Sequence, residues 1–216
     1  MVSINVVSFD LDGTLTDSSF VDSVWLEGIP HLYSIKKRVS FDDAKEAVIR
    51  EYEEVGREEL QWYDLRYWIE KFDLNVGWQD LLSRFEDRIR TYPEVLKVVE
   101  ELTQRGIRLI IITNASSEFL EFQLAETNME GYFEAVFSAT SDFGMVKKTV
   151  DLYRKVCRIL GIFPHEMIHV GDDRNFDFYV PRRLGILAFH LDRTGTYEGE
   201  HVIYNLEDLH ERLEKL

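Results

Sequence analysis

Aspartates follow two short apolar runs of the sequence. Asp10 and Asp12 come after Ile-Asn-Val-Val-Ser-Phe, whereas Asp172 and Asp173 come after Ile-His-Val-Gly, with Asp177 a few residues later. Such carboxylates can act as nucleophiles, as general acids and bases, or as ligands of a cation. Packed together without a cation they would repel one another, and one would take up a proton. A hard divalent cation with oxygen ligands, Mg²⁺, is therefore the expected partner.

A hydroxyl, an amide and two ammonium groups occur at comparable positions. Thr113 and Asn114 end a third apolar run, and Lys147 and Lys148 lie between that run and the second acidic group. Each feature alone has a structural interpretation: a turn, a helix N-cap or a solvated lysine face. A calcium loop is excluded because the later oxygen ligands of that pattern are missing after Gly13.

The apolar pattern predicts the frame that brings these residues together. Short runs rich in β-branched residues alternate with amphipathic segments, which predicts βαβ units and a mainly parallel sheet. The predicted strands are 4–9, 107–112, 134–138, 166–170, 186–191 and 201–204, and the longer helices are 94–105, 116–127 and 146–160. The fold class is thus an α/β, Rossmann-like core. Ligands of such sheets bind at the carboxyl ends of the strands.

Residues 17–90 have a different character, because no convincing strand occurs there. Ser40 with Asp43 resembles a capping box, and the residues after it keep helical spacing. The domain prediction is an α/β catalytic core of residues 1–16 and 91–216, with a helical module of residues 17–90, the cap, inserted after the first strand.

The four motifs together resemble those of the haloacid dehalogenase (HAD) superfamily, in the subgroup with a helical C1-type cap. In order, the motifs are Asp10-Leu-Asp-Gly-Thr, Ile112-Thr113-Asn114, Lys147, and Gly171-Asp172-Asp173 with Asp177. The resemblance covers the whole predicted core. It departs at the third motif, where the family usually has Lys-Pro. Lys147 is chosen because Gly144 and Tyr153 then fall at family-like offsets, and Lys148 stays open as the alternative.

The resemblance implies a phosphoryl-transfer reaction. Asp10 would be the nucleophile that forms an aspartyl-phosphate, and Asp12 would be the general acid and base. Thr113 and Lys147 would hold the phosphoryl oxygens, together with Asn114. Dehalogenases of the family lack an Asp two residues after the nucleophile, so Asp12 favours a phosphoester substrate.

The resemblance also implies a Mg²⁺ site. Asp10 and Asp172 would bind the ion through their carboxylates and Asp12 through its backbone carbonyl. Asp173 and Asp177 would orient the metal shell and the motif lysine.

The resulting hypothesis is a Mg²⁺-dependent phosphatase of a small phosphorylated metabolite. A phosphomutase of the same superfamily and a non-catalytic binding or regulatory module with the same fold remain as alternatives. We expect the cap to close over the site and to read the leaving group. Its candidate contacts, with packing inside the cap as the alternative for the aromatic residues, are Asp17, Ser18, Trp25, Trp62, Tyr63, Arg66 and Trp68.

Composition narrows the possible partners. The formal net charge is −15, which disfavours binding to nucleic acid or to anionic lipid. No apolar run is long enough for a membrane span, and the N-terminus lacks the pattern of a signal peptide, so a cytoplasmic protein is expected. The single cysteine, Cys157, has helical spacing with Val150, Tyr153 and Leu160 and is predicted to be a buried core thiol. The oligomeric state stays open.

Overall fold

The computed structural model describes residues 4–214 and contains one six-stranded sheet. The strands are β1 (Val6–Phe9), β2 (Arg108–Thr113), β3 (Ala135–Ser138), β4 (Met167–Gly171), β5 (Leu187–Leu191) and β6 (Val202–Ile203). Their order is β3-β2-β1-β4-β5-β6, and every neighbouring pair is parallel. The first strand of the chain therefore lies inside the sheet, between β2 and β4. This arrangement confirms the α/β, Rossmann-like fold class.

Ten α-helical segments are described in residues 4–214. They are α1 (Ser19–Ser23), α2 (Ile29–Lys37), α3 (Phe41–Val55), α4 (Leu65–Lys71), α5 (Trp78–Ser83), α6 (Val95–Gln104), α7 (Ser117–Thr127), α8 (Val150–Leu160), α9 (Val180–Arg182) and α10 (Asp208–Glu214). A π-helical turn, Val24–Gly28, joins the first two, and another, Arg174–Tyr179, precedes α9. None of the described helices has the length and apolar character needed to cross a bilayer. A cytoplasmic location stays a prediction.

Both faces of the sheet are buried, as the nearly continuous apolar strands predict. Along β1, Val7 and Phe9 pack in one apolar cluster and Val6 in another. The second cluster includes Cys157 of α8, which is 3% exposed. The prediction of a buried core thiol is thus confirmed.

The helices α1 to α5 all lie between β1 and α6 in the chain and surround a third apolar cluster that contains the fully buried Trp68. The chain leaves the core and returns to it through paired segments. Thr16 forms a bridge with Thr91, and the Asp17 N–H donates to the carbonyl of Arg90 at 2.9 Å. This pairing supports the predicted limits of the cap, which remain a prediction.

One helix starts later than its apolar spacing predicts. The predicted helix 146–160 begins only at Val150, because Thr149 is its N-cap and accepts a hydrogen bond from the Leu152 N–H at 3.2 Å. Gly144, with φ +60°, turns the chain before it. Lys147 and Lys148 therefore lie in a loop rather than on a helix face. By contrast, the expected cap at Ser40 is present, since its Oγ accepts from the Asp43 N–H.

Candidate active site

The turn after β1 brings two aspartates to the carboxyl end of the sheet. The Asp10 N–H continues the ladder by donating to the Val170 carbonyl at 2.9 Å. Gly13 follows with φ +82°, and a Cβ at this position would lie 2.4 Å from Asp172 Oδ2. Glycine is therefore required here for two reasons: the positive φ of the backbone and the close approach of the loop that carries Asp172.

Three carboxylates meet where β1 and β4 end. Asp10, Asp172 and Asp177 each offer an oxygen within 4.8 Å of the others. A cavity of about 450 Å³, which we call the strand-end pocket, opens beside them. Its lining includes Asp10, Asp12, Thr113, Asn114, Lys148, Asp172, Asp173, Arg174 and His190. The structure thus brings the predicted aspartates, Thr113 and Asn114 to one edge of the sheet.

The lysine at this edge is Lys148, the alternative that the sequence left open, and not the expected Lys147. The Lys148 side chain is 1% exposed, and its Nζ lies 2.8 Å from Asp10 Oδ1 and 2.5 Å from Asp177 Oδ1. Burial alone would lower the pKa of Lys148, but the two carboxylates outweigh this effect and raise it above the usual value. Lys147 instead forms an ion pair with Glu58 of the cap and lies 5.8 Å from the centre of the Phe176 ring.

Asp177 is the second carboxylate that contacts the lysine. Its carboxylate is completely buried and also accepts from the Asp173 N–H at 3.1 Å. Burial alone would raise the pKa of Asp177, but Lys148 and His169 together outweigh this effect and lower it to about 2. Asp177 therefore stays ionised. A Cβ on Gly171 would lie 2.4 Å from Asp177 Cγ, so this glycine gives the carboxylate its space.

His169 in β4 extends this network and was not singled out from the sequence. Its ring is fully buried, and burial lowers its pKa, which keeps the imidazole neutral near pH 7. Since Asp177 is ionised, Nε2 donates to Asp177 Oδ1 at 3.0 Å, and Nδ1 is left to accept from the Ser8 hydroxyl. A histidine in the middle of an apolar strand was the available signal.

Asp12 has its own supporting contact. Gln123 of α7 donates from Nε2 to Asp12 Oδ1 at 3.0 Å, while its Oε1 accepts from the Thr16 hydroxyl at 2.9 Å. Burial raises the pKa of Asp12 to about 7, although the Gln123 hydrogen bond opposes the rise. Gln123 was also missed, although a fully buried Gln between Leu120 and Leu124 on an apolar helix marks a polar contact.

Arg193 fixes the loop that follows β1. Its guanidinium donates to the Gly13 and Thr14 carbonyls at 3.3 and 2.8 Å and pairs with Glu94 at 2.7 Å. It also stacks 3.4 Å above the Tyr92 ring. Nothing in the local sequence around Arg193 indicates this role, because its partners lie far away in the chain.

The carboxylates at the sheet edge fit a hard divalent cation. Burial raises the pKa of Asp10 despite the opposing charge of Lys148. Desolvation and the neighbouring Asp10 raise the pKa of Asp172 to about 7. A cation with oxygen ligands would relieve both effects. Asp177 is less available as a ligand, since Lys148, His169 and the Asp173 N–H already occupy both its oxygens.

Asp173 contacts the backbone rather than the pocket centre. Its Oδ1 accepts from the Asn175 and Phe176 N–H groups, both at 2.8 Å, and so caps the π-helical turn that carries Asp177. Asp173 thereby helps to place Asp177, which in turn holds Lys148. Its predicted influence on a metal shell stays a prediction.

A second and larger cavity adjoins the strand-end pocket. This cap cleft, of about 790 Å³, lies between the cap and the core and shares Asp12, Asn114 and Ala115 with the pocket. Of the cap candidates, Trp25, Trp62 and Tyr63 line it.

The other cap candidates have different surroundings. Trp68 is fully buried in the cap core. Asp17 caps the Ser19 N–H, and Ser18 donates to Asp22. Arg66 pairs with Glu118 of α7 at 2.5 Å.

Comparison with known proteins gives consistent relatives. A family model described as haloacid dehalogenase-like hydrolase matches residues 4–185. The GMP/IMP nucleotidase of Escherichia coli is 26% identical over 169 residues, which are 78% of this chain and 74% of that protein. The glyceraldehyde 3-phosphate phosphatase of Methanocaldococcus jannaschii is 22% identical over 215 residues, 95% and 93% of the two chains. The crystal structure of a HAD phosphatase from Thermococcus onnurineus matches with a TM-score of 0.83 at 26% identity, over 97% of both chains.

Proposed function

The chain belongs to the haloacid dehalogenase-like hydrolases, and we propose that it is a Mg²⁺-dependent phosphatase that acts on a small phosphate monoester through an aspartyl-phosphate. The observation that carries this proposal is the contact of the buried Lys148 with Asp10 at the end of the central strand β1. The names of the relatives, a nucleotidase and a triose-phosphate phosphatase, support phosphate removal and leave the leaving group open.

Asp10 is the proposed nucleophile. One of its carboxylate oxygens attacks phosphorus, and the bond from phosphorus to the leaving oxygen breaks. Lys148 holds Asp10 Oδ1 at 2.8 Å and so fixes the direction of the carboxylate. A water molecule then attacks the phosphorus of the aspartyl-phosphate, which restores the Asp10 carboxylate and releases phosphate.

Asp12 is the proposed acid and base. It lines both the strand-end pocket and the cap cleft, so its carboxyl lies at the boundary between the transferring group and the leaving group. Asp12 gives its proton to the leaving oxygen in the first step and takes a proton from the attacking water in the second. Gln123 holds one of its oxygens, which keeps the carboxyl directed into the site.

The phosphoryl oxygens are assigned to three residues at the strand ends. Thr113 and Asn114 line the strand-end pocket beside Lys148. The Thr113 hydroxyl accepts from the Ala115 N–H at 3.2 Å and keeps its own proton for a phosphoryl oxygen. Lys148 takes the role first expected of Lys147, because Lys147 lies outside this pocket against Glu58.

Asp10 and Asp172 are the residues that would hold Mg²⁺, with the Asp12 carbonyl as the predicted third ligand from the protein. When bound, the ion would shield the anionic phosphate from the anionic nucleophile. Asp177 and Asp173 do not bind the ion in this proposal. Asp177 positions Lys148, and Asp173 caps the turn that carries Asp177.

The proposal is tested with purified protein and a panel of phosphate monoesters, with Mg²⁺ or with EDTA. We expect phosphate release that requires the metal and that is lost in Asp10→Asn. Asp42→Asn is the matched control, since Asp42 lies exposed at the start of α3. Release by Asp10→Asn at the wild-type rate would remove the nucleophile assignment.

The same panel separates the alternatives. An isomerised ester without free phosphate would identify a phosphomutase. A folded protein that neither releases phosphate nor isomerises any ester would identify a binding module. Either outcome would overturn the phosphatase proposal.

A further inference from the structure

The cap cleft is much larger than a phosphoryl group requires. The strand-end pocket already accounts for the phosphoryl site, and the adjoining cleft of about 790 Å³ extends from Asp12 into the cap. Cavities of roughly 300–1,000 Å³ are typical of sites for whole small molecules. The leaving group that Asp12 would protonate therefore has a space of its own.

Aromatic side chains form much of the cleft wall. Trp25 stacks on Phe119 with ring centres 5.5 Å apart, and Tyr52 meets both Trp25 and Trp62 edge-on at 5.7 and 6.0 Å. Trp25 and Trp62 are half-buried, so part of each indole is left uncovered by protein. Two indoles with uncovered surface in one cavity favour a flat ligand that stacks on them.

Besides its charged side chains, the cleft lining contains two buried polar atoms that can serve a ligand. Asn114 Oδ1 and Ser116 Oγ are buried and have no hydrogen-bond partner within residues 4–214. Ser116 is 5% exposed and lines the cleft, as does Asn114. These two atoms can bind a small number of polar atoms of a ligand.

The charge of the lining disfavours a second anionic group on the ligand. Asp12, Asp22 and Glu53 contribute carboxyl groups, and Arg57 alone among the lining residues contributes a cation. Its guanidinium lies over the Trp62 ring, 5.4 Å from the ring centre. A leaving group with its own carboxylate, as in phosphoglycolate, would therefore be repelled.

Resting on the proposed function, we infer that the preferred substrate is a phosphate monoester whose leaving group is neutral and carries a flat aromatic ring, of which nucleoside 5′-monophosphates are the natural class. The ring stacks on Trp62 and Trp25 of the cap, and the ester oxygen lies at Asp12. Ser116 Oγ and Asn114 Oδ1, an acceptor that the phosphoryl oxygens cannot use, bind polar atoms of the leaving group.

The wild-type protein provides the first test. We expect kcat/KM with Mg²⁺ to be highest for one of several nucleoside 5′-monophosphates, lower for glyceraldehyde 3-phosphate and lowest for phosphoglycolate. A higher kcat/KM for either aliphatic ester would overturn the inference and leave the phosphatase proposal intact. Absence of phosphate release from every ester would instead count against the phosphatase proposal itself.

A variant tests the stacking residue. When an aromatic side chain that stacks on a base is replaced by alanine, the affinity falls by about 5- to 150-fold. We expect Trp62→Ala to lower the kcat/KM ratio of nucleotide to glyceraldehyde 3-phosphate by that factor, and Trp62→Phe to restore part of it. Trp78→Ala is the matched control, because Trp78 is a half-buried cap indole that lies under Arg66, outside the cleft. An unchanged ratio in both Trp62 variants would overturn the inference.

Discussion

The two adjacent lysines offer the sharpest test of the site. Lys148 is 1% exposed between Asp10 and Asp177, so its removal leaves two buried carboxylates without their cation. Breaking a buried ion pair in this way destabilises a protein by about 3–5 kcal/mol. For a chain of this size each kcal/mol corresponds to about 2–4 °C in Tm, so Lys148→Ala should lower Tm by roughly 6–20 °C. Lys147 forms an exposed pair with Glu58, and such pairs contribute about 0–1 kcal/mol.

Substitution of Lys148 should also lower the rate of phosphate release much more than substitution of Lys147. Loss of a buried group that stabilises transition-state charge lowers kcat by about 10²–10³-fold, and we expect this for Lys148→Ala and for Lys148→Met, which retains most of the side-chain volume. Lys147→Ala should keep kcat within about twofold. Thermal unfolding in EDTA and phosphate release with Mg²⁺ are measured on all three variants. If Lys147→Ala loses more activity than Lys148→Met, the assignment of the lysine is refuted.

Two further outcomes follow from the backbone and from the buried thiol. Gly13→Ala should abolish phosphate release and lower Tm, because its Cβ would lie 2.4 Å from Asp172 Oδ2 and the backbone has φ +82°. Gly106 also has a positive φ but open space around it, so Gly106→Ala should lower Tm without loss of activity. Equal activity in the two variants would contradict the packing argument. Burial raises the pKa of Cys157 to about 11, so the folded protein holds the neutral thiol at pH 8. The contribution of this thiol to the free energy of unfolding should be lost as the pH rises from the ordinary thiol range towards that value. Iodoacetamide followed by mass measurement at pH 8 should label native protein at least on the order of a hundredfold more slowly than urea-unfolded protein, and comparable rates would show that the thiol is not buried.

The sheet and the meeting point of the motifs were predictable because both follow from local patterns. Continuous apolar runs mark strands buried on both faces, and parallel strands bring their carboxyl ends to one edge. Asp10, Thr113 and Asp172 needed no further information to be placed together. The helical character of the cap was equally visible, since Ser40 and the apolar spacing after it give one of its helices a start and a face.

The lysine could not be placed by the same means. Lys147 and Lys148 have identical chemistry, and their directions depend on where α8 begins. Apolar spacing extended that helix back to residue 146, whereas the Thr149 side chain caps it at Val150. Gln123 and Arg193 were missed because each acts on residues distant in the chain, over 111 positions in the case of Gln123 and Asp12. His169 lies only eight positions from Asp177, but its contact with Ser8 spans 161 positions.

The place of β1 in the sheet has a consequence for how the protein is made. Val6 pairs with Arg108 on one side and with Met167 on the other. The chain is synthesised at roughly 5–20 residues per second, so Asp172 is added about 10–30 s after Asp10. The cap cluster is drawn mainly from residues between β1 and α6, and we expect it to collapse on the ribosome before the sheet can close around β1. A ribosome that stops ahead of β4 therefore leaves a folded cap beside an apolar first strand that can pair with β2 but whose other edge is still open.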